Sequence, residues 1–277
     1  MTTGQIRRDG LRVVSSGTQQ NPDNSRPAPQ DLAIQVSGAQ LDYPLGAFAR
    51  GSIKSSLLSL LGQGAKERRP VHVTALRGLD FRIAFGERVG LIGHNGSGKS
   101  SLLRVLAGVY PLAAGDVTVT GRIGTLLDIG LGFETESTGR ENIYFRGLAM
   151  GVSRARMAEV EEEIVRFADL GEFIDMPMRT YSAGMYVRLG FAISTQFAPD
   201  ILLVDEVFGA GDATFAKRAL QRMTKIVENS GIFVMATHDL PLVEKICTRV
   251  IWMEHGQVFR DGPPSVVVPE YLRRMAT

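Results

Sequence analysis

Gly93-His94-Asn95-Gly96-Ser97-Gly98-Lys99-Ser100 reads as a glycine, four further residues and then Gly-Lys-Ser, the full pattern of a phosphate-binding loop. Its flanks support that reading. Arg88 to Gly93 has the apolar character of a strand, and Ser100 to Ala107 that of a helix stopped by Gly108 and Pro111. Glycines let backbone N–H groups turn inward around phosphate oxygens. The helix that follows adds the positive end of its dipole. Lys99 reaches the β and γ phosphates as a point charge, and the Ser100 hydroxyl is suited to Mg2+. Gly93, Asn95, Gly96, Ser97, Gly98, Lys99, Ser100 and Ser101 are therefore the expected contacts of a nucleotide. A Gly-rich turn matching by chance would have no need of both flanks.

Downstream, Ile201-Leu202-Leu203-Val204-Asp205-Glu206 is an apolar run that ends in two carboxylates. A continuous run of this kind fits a strand buried on both faces of a parallel sheet. Asp205, at the strand end beside the loop, is placed to hold Mg2+. Glu206, one residue on, is placed to polarise an attacking water. Alone, two acids at a strand end would be an ordinary solvated loop; the phosphate loop upstream gives them a task.

The chain has 277 residues, 44% hydrophobic and 22% charged, with 31 basic against 29 acidic side chains and a net charge of +2. That length can bury a sizeable core, and the near-neutral balance argues against a nucleic-acid binder. No run approaches the ~18 consecutive apolar residues of a membrane span. The single cysteine, Cys247, excludes an internal disulfide framework and fits a reducing compartment. Before Pro22 there is no apolar segment of the kind a secretory signal carries.

Residues 1–30 are polar and punctuated by Gly, Ser, Asn and Pro, which predicts a disordered arm. Order is expected from about 31 to 265, with a short tail over 266–277. Leu32, Ile34 and Val36 alternate as in a strand ended by Tyr43 and Pro44. Between Leu45 and Val71, Ile53, Leu57, Leu60 and Leu61 form a helical stripe, and Arg50, Lys54, Lys66, Arg68 and Arg69 face one acid, Glu67. This segment is either a solvated insertion or a contact with a membrane surface or membrane partner. Further strands are expected over 79–85, 117–120, 123–127, 201–204 and 232–237. Helices are expected over 140–167 with a break at Gly151 and a cap at Ser153, over 183–197 and over 213–228. A short helix and a hairpin around His255 and Gly256 follow.

Tyr181-Ser182-Ala183-Gly184-Met185 precedes one of those helices, and its serine lies 23 residues before Asp205. Read alone, it is as well explained by a simple Ser182 cap. Read with the loop and the acidic pair, it resembles the signature motif of the nucleotide-binding subunits of ABC transporters, with Tyr181 and Met185 in place of the usual Leu and Gln. The resemblance implies an α/β fold of the P-loop NTPase class: a mostly parallel core sheet, an antiparallel β subdomain and a helical subdomain over about 130–179. It implies ATP and Mg2+ as ligands. It also implies a head-to-tail dimer, in which Ser182, Ala183 and Gly184 of one copy cap the γ-phosphate held by the other. Phe208-Gly209-Ala210-Gly211-Asp212 sits where that family's D-loop follows the acids, and Thr237-His238-Asp239 matches its switch histidine, so Asp212 and His238 join the expected site.

More narrowly, Thr138-Gly139-Arg140-Glu141-Asn142-Ile143-Tyr144, Gly171-Glu172-Phe173-Ile174-Asp175 and Tyr181 through Leu189 resemble the ATPases that export bacterial polysaccharides. That implies a polytopic membrane permease as partner, a position on the cytoplasmic face of the inner membrane and no nucleic acid. The similarity extends over about residues 32–265. Two departures stand out. No glutamine occurs between Gln63 and Gln196, where the family usually places a Mg2+-sensing Gln; Asp128 resembles the acidic position of the polysaccharide branch and is the expected substitute. The glycan-binding domain that some O-antigen exporters carry beyond the cassette is not expected before Thr277. Tyr43 has two readings, an aromatic stacked on adenine or a core tyrosine. The competing functional class is a soluble ABC ATPase of ribosomes or DNA repair. The repair enzymes insert long coiled coils between loop and signature, whereas only 83 residues separate Lys99 from Ser182 here. An importer ATPase is the third class.

Overall fold

A computed structural model of the chain describes residues 6–8, 11–14, 28–44, 72–127, 132–205 and 213–276. Among them, two sheets divide the strands. The first holds β1 (Ile6–Arg8), β2 (Leu11–Val14), β3 (Ala33–Pro44), β4 (His72–Ala84) and β6 (Ala114–Thr120), in the order β1-β2-β6-β3-β4. β3 pairs antiparallel with β4 and β6, while β2 runs parallel to β6. Along β3 the side chains of Ile34 and Val36 are buried and those of Gln35 and Ser37 exposed, as a half-buried strand requires. A bulge follows at Gly38, whose φ of 58° is left-handed and whose N–H donates to Asp80 at 2.8 Å. It shifts the inward positions by one, to Ala39 and Leu41.

The second sheet has the order β11-β10-β5-β9-β8-β7, built from β5 (Arg88–Ile92), β7 (Ile123–Leu126), β8 (Ile201–Asp205), β9 (Ile232–Ala236), β10 (Arg249–Glu254) and β11 (Gln257–Gly262). All neighbours are parallel except the β10–β11 hairpin. β9 is buried at every residue, because helices cover both faces of a parallel sheet. α1 (Lys99–Leu106) inserts Leu102, Leu103, Val105 and Leu106 into the core shared with the first sheet. On the other face α5 (Ala213–Asn229), α6 (Leu240–Ile246) and α7 (Pro264–Met275) pack Phe215, Met223, Val243 and Val267 around Trp252.

A third apolar cluster lies among helices and the turns that join them: α2 (Gly139–Ala149), α3 (Arg154–Ala168) and α4 (Ala183–Ser194), with Ile143, Met157, Ile164, Leu189 and Ile193 inside. Thr138 and Glu141 form a reciprocal capping box at the start of α2, and Ser153 caps α3 as its sequence predicts. Gly147 lets α3 approach; a Cβ there would collide with Met157.

Several boundaries differ from expectation. The arm over 1–30 contributes strands at 6–8 and 11–14, where a disordered segment was expected; their backbone groups pair with each other and with β6, which polar composition does not reveal. β4 starts at His72 instead of Leu79, because Gly78 at φ 66° breaks the alternation while Leu76 and Leu79 both stay buried. α4 ends at Ser194, three residues early, where the Thr195 hydroxyl turns back onto the Phe191 carbonyl at 2.6 Å. Residues 266–275, expected as tail, lie in α7, which buries Val267 and Val268. The amphipathic segment over 45–71 lies outside the described residues. No helix among them is long and apolar enough to cross a membrane.

Candidate nucleotide-binding site

β5 ends at Ile92, the chain turns through Gly93–Gly98, and α1 begins at Lys99. Gly93 and Gly98 have φ of 143° and 106°, and close packing gives a second reason for each. A Cβ on Gly93 would collide with the Met253 carbonyl, and one on Gly98 would lie 2.9 Å from the Ala75 carbonyl. Gly96, at φ 80°, differs: a Cβ there would meet nothing within 4 Å, so the loop is open on that side. Gly98 caps α1 without a side-chain bond, which leaves first-turn N–H groups of that helix to an anion.

Lys99 is only 6% exposed, and its Nζ donates to the carbonyls of Gly93 at 2.7 Å and His94 at 3.1 Å. The ammonium is thus folded back onto the loop that it serves. Ser97 is fully buried and its Oγ has no hydrogen-bond partner. A buried hydroxyl left this way is costly, so the loop is built for a polar ligand.

The parallel pairing puts the remaining groups on the same edge. Ala236 is opposite Leu91 on one side and Asp205 on the other, so these three form one row across β5, β9 and β8. Gly93 begins the loop two residues past that row, and His238 follows two residues past Ala236. This is the carboxyl edge where open α/β sheets hold ligands. α1, which carries Ser100, packs against β8. The Ser100 hydroxyl and the Asp205 carboxylate are hard oxygen donors of the kind Mg2+ takes, so the residues present fit that ion. His238 is exposed at the rim, and the Thr237 hydroxyl accepts from Asp239 N–H at 3.1 Å to shape its turn.

Tyr43, near the end of β3, bonds through its hydroxyl to Ser101 Oγ at 3.1 Å and meets Tyr110 edge-on at 5.6 Å between centroids. Burial pushes its phenol up, and Ser101 offsets this only in part. Both readings of this residue have a footing: it packs against the first core, and it stands over the first turn of α1.

Ser182 caps α4, accepting from Met185 N–H at 3.3 Å. Ser182 and Ala183 are exposed, and Gly184 leaves the helix start open. Beside them is a cavity of about 400 Å³ lined by Asp169, Leu170, Phe173, Ser182, Gly184, Met185 and Arg188. Arg188 donates to the Asp169 carbonyl at 3.2 Å. These groups belong to the helical cluster, not to the sheet edge that carries the phosphate loop.

The family model described as ABC transporter matches residues 76–209. The O-antigen export system ATP-binding protein RfbE of Yersinia enterocolitica is 42% identical over 80% of this chain and 94% of its own length. The chain belongs to the ABC transporter family. The ATP-binding protein RfbB of Myxococcus xanthus is 44% identical over 79% of this cassette, which spans only about half of that relative (50%). The teichoic acids export ATP-binding protein TagH of Bacillus anthracis is 41% identical over 71% of the cassette and 36% of its own length. Among solved structures, a dimeric ATP-binding cassette in a post-hydrolysis state bound to ADP and Pi superposes with a TM-score of 0.63 over 83% of this chain and 98% of its own, at 20% identity. That likeness establishes the ABC fold.

In the cassette, Gly93 to Ser101, Asp205 and His238 converge on the carboxyl edge of the parallel sheet, and Tyr43 reaches in from β3 of the other sheet to Ser101. Ser182, Ala183 and Gly184 open α4. Asp128, Glu206 and Asp212 lie outside the described residues. One group escaped the sequence. The hairpin turn at His255 and Gly256 braces the loop from behind: Gly256 N–H donates to the Ser97 carbonyl at 3.0 Å, and Arg77 N–H to the Gly256 carbonyl at 2.9 Å. The His255 ring lies 5.0 Å from that of His94. The turn itself was legible at Gly256; its place under the loop follows from β10 pairing with β5, which is a tertiary fact.

Proposed function

We propose that this cassette is the ATP-hydrolysing subunit of an exporter of lipid-linked polysaccharide, held on the cytoplasmic face of the membrane by a polytopic permease. The observation that carries the reading is identity running along 94% of a relative that is itself named for O-antigen export. Two copies close head to tail. Lys99 and the loop amides bind the phosphates of ATP, and Tyr43 lies against the base. Ser100 and Asp205 hold Mg2+, which when bound supplies charge neutralisation at the phosphates. Glu206 takes a proton from the attacking water as the water oxygen bonds to the γ-phosphorus. The bond from that phosphorus to the β–γ bridging oxygen breaks, releasing ADP and phosphate. His238 positions the γ-phosphate and water, Asp212 approaches the interface, and Ser182, Ala183 and Gly184 complete the site from the second copy. Catalysis of this kind is mainly positioning and charge stabilisation. Asp128 stands in for the usual glutamine; Asp128→Ala then uncouples transport from hydrolysis while ATP still binds.

The test is to purify a tagged Glu206→Gln cassette from native membranes with ATP and Mg2+. Expected are a trapped dimer without turnover and a stoichiometric polytopic membrane protein accompanied by lipid-linked sugar, all identified by mass spectrometry. A dimer bound to ribosomes or DNA, with no membrane protein, overturns the export reading. Hydrolysis by Glu206→Gln at the wild-type rate overturns the general-base role.

A further inference from the structure

Tyr181 stands immediately before the capping Ser182, yet its side chain leaves the helix start altogether. It is buried in the third core, 8% exposed, edge-on to Tyr186 at 5.8 Å. Its hydroxyl donates to the Phe173 carbonyl at 2.7 Å, in the 3-10 turn Gly171–Asp175. The same oxygen lies against Gly139, where a Cβ would collide with it. Gly139 is the first residue of α2. One hydroxyl therefore joins three segments: the signature loop, the start of α2 and the 171–175 turn.

The fit leaves no slack. A Cβ on Gly139 would fall inside the Tyr181 hydroxyl, while its next neighbours, the Ile174 methyl and carbonyl, lie at 3.1 and 3.2 Å. Gly139 has no left-handed φ, so its lack of a side chain answers to the tyrosine and not to backbone conformation. Burial pushes the phenol up to about 12, so the hydroxyl keeps its proton and its donor role at any working pH. A leucine at this place would fill the apolar volume without reaching the Phe173 carbonyl.

We propose that Tyr181 is a positioning residue, a hydroxyl peg in a glycine socket that fixes the direction in which Ser182 and Gly184 face the nucleotide of the second copy. This rests on the head-to-tail reading above. A peg anchored at α2 and the 171–175 turn transmits any displacement of those segments to the signature loop. Its loss moves a site that acts in trans and leaves the phosphate loop, seated between the sheets, intact.

The test uses the full chain with Glu206→Gln as parent, probed with ATP and Mg2+. Three variants are built on it: Gly139→Ala, Tyr181→Phe and both together. The readouts are ATP-driven dimerisation by sedimentation, binding of a fluorescent ATP analogue to dilute monomer, and the thermal midpoint. Gly139→Ala is expected to weaken dimerisation about 10-fold or more, a shift of ~1.4 kcal/mol. Monomer ATP binding stays within about twofold. Tyr181→Phe weakens dimerisation less, by about 3-fold; the double variant, which removes the oxygen that the new methyl would strike, returns to the Tyr181→Phe level and no further, a non-additivity expected of groups in contact. In the Glu206 background the same variants lower kcat for ATP and leave KM unchanged. Equal dimerisation of Gly139→Ala and parent, or a double variant no better than Gly139→Ala, overturns the proposal. Should Gly139→Ala fail to fold, Tyr181→Phe carries the test, and unchanged dimerisation by it is the refuting result. A parent that never dimerises with ATP refutes the head-to-tail reading first, an outcome distinct from these.

Discussion

Replacing Lys99 by methionine separates two roles that a phosphate-loop lysine can have, because they predict opposite results. The ammonium is 6% exposed and satisfied by two carbonyls at 2.7 and 3.1 Å before any phosphate arrives. Exchanging a buried charge for an apolar chain of similar length removes those bonds but also removes a desolvation cost of similar size. The nucleotide-free protein should therefore unfold within about 4 °C of wild type, the shift that ~1 kcal/mol produces in a chain of this size. With ATP the balance changes. Two charge-assisted bonds to the β and γ phosphates contribute roughly 1.5–3 kcal/mol each, so the variant loses about 3–6 kcal/mol of binding. That is ~10²- to 10⁴-fold in Kd. At a free ATP concentration of ~100 times the wild-type Kd, the wild-type chain gains about 2.7 kcal/mol from ligand linkage, and the variant a few tenths at most. The assay is a thermal unfolding series over ATP concentration, checked by calorimetric titration. An equal ATP-induced shift in both proteins refutes the phosphate role. A nucleotide-free midpoint that collapses by more than ~10 °C shows instead that Lys99 is a strut of the loop.

Three further outcomes follow from the same geometry. Gly98→Ala places a Cβ at φ 106° and 2.9 Å from the Ala75 carbonyl, so it should cost roughly 1–3 kcal/mol and weaken ATP binding; a denaturation midpoint equal to wild type would refute the strain. Cys247 is buried and its thiol is pushed up to about 12 by burial, so iodoacetamide at about pH 8 should label it only after denaturation; fast native labelling would contradict the packing. Burial alone would raise the Glu161 carboxyl, but bonds from the Tyr144 hydroxyl and the Arg140 guanidinium outweigh it and hold the group below its usual 4.5. A depressed acid contributes stability above its unfolded value and loses it as pH falls through its folded value. The wild type should accordingly lose stability below about pH 4 more steeply than Glu161→Gln; parallel urea midpoints at about pH 6 and 3.5 would show that the pair contributes nothing.

What the sequence reveals and what it hides divide along physical lines. The phosphate loop, the apolar run 201–204 and the Ser153 cap are local: backbone conformation, burial on two faces and one side-chain acceptor suffice to specify each. β4 resists because a left-handed Gly78 shifts its alternation partway. The strand at 11–14 is held by β6, a ladder partner far along the chain, and the edge strand at 6–8 pairs with 11–14 in turn, so no local pattern announces them. The brace at Gly256 and the peg at Tyr181 are tertiary in the same sense. Each is a backbone group meeting a residue more than forty positions away or a neighbour fixed by packing. Tyr181 was visible as a departure from the usual leucine; that its oxygen reaches Gly139 was not.

On the head-to-tail reading proposed above, the two helix starts that would face phosphate are unequal, and the inequality argues for an order of events. α1 starts at Gly98 with no capping side chain and with an ammonium folded into the loop beside it. α4 starts at Ser182, whose neutral hydroxyl already accepts one backbone N–H, and the nearby Arg188 donates to the Asp169 carbonyl. A helix end alone contributes about 0.3–1 kcal/mol toward an anion, far less than a lysine bonded to phosphate. The loop therefore has the affinity to take ATP first in a single copy, and the signature helix is too weak to recruit nucleotide unaided. Its contribution counts only when a nucleotide is presented on the surface of a second copy, where the area buried between the two chains adds to it. Binding should then be hyperbolic in ATP at low protein concentration and become cooperative as protein concentration rises through the dimerisation range. Cooperativity that is independent of protein concentration would mean that both sites are complete within one chain, and the order argued from the two helix ends would be wrong.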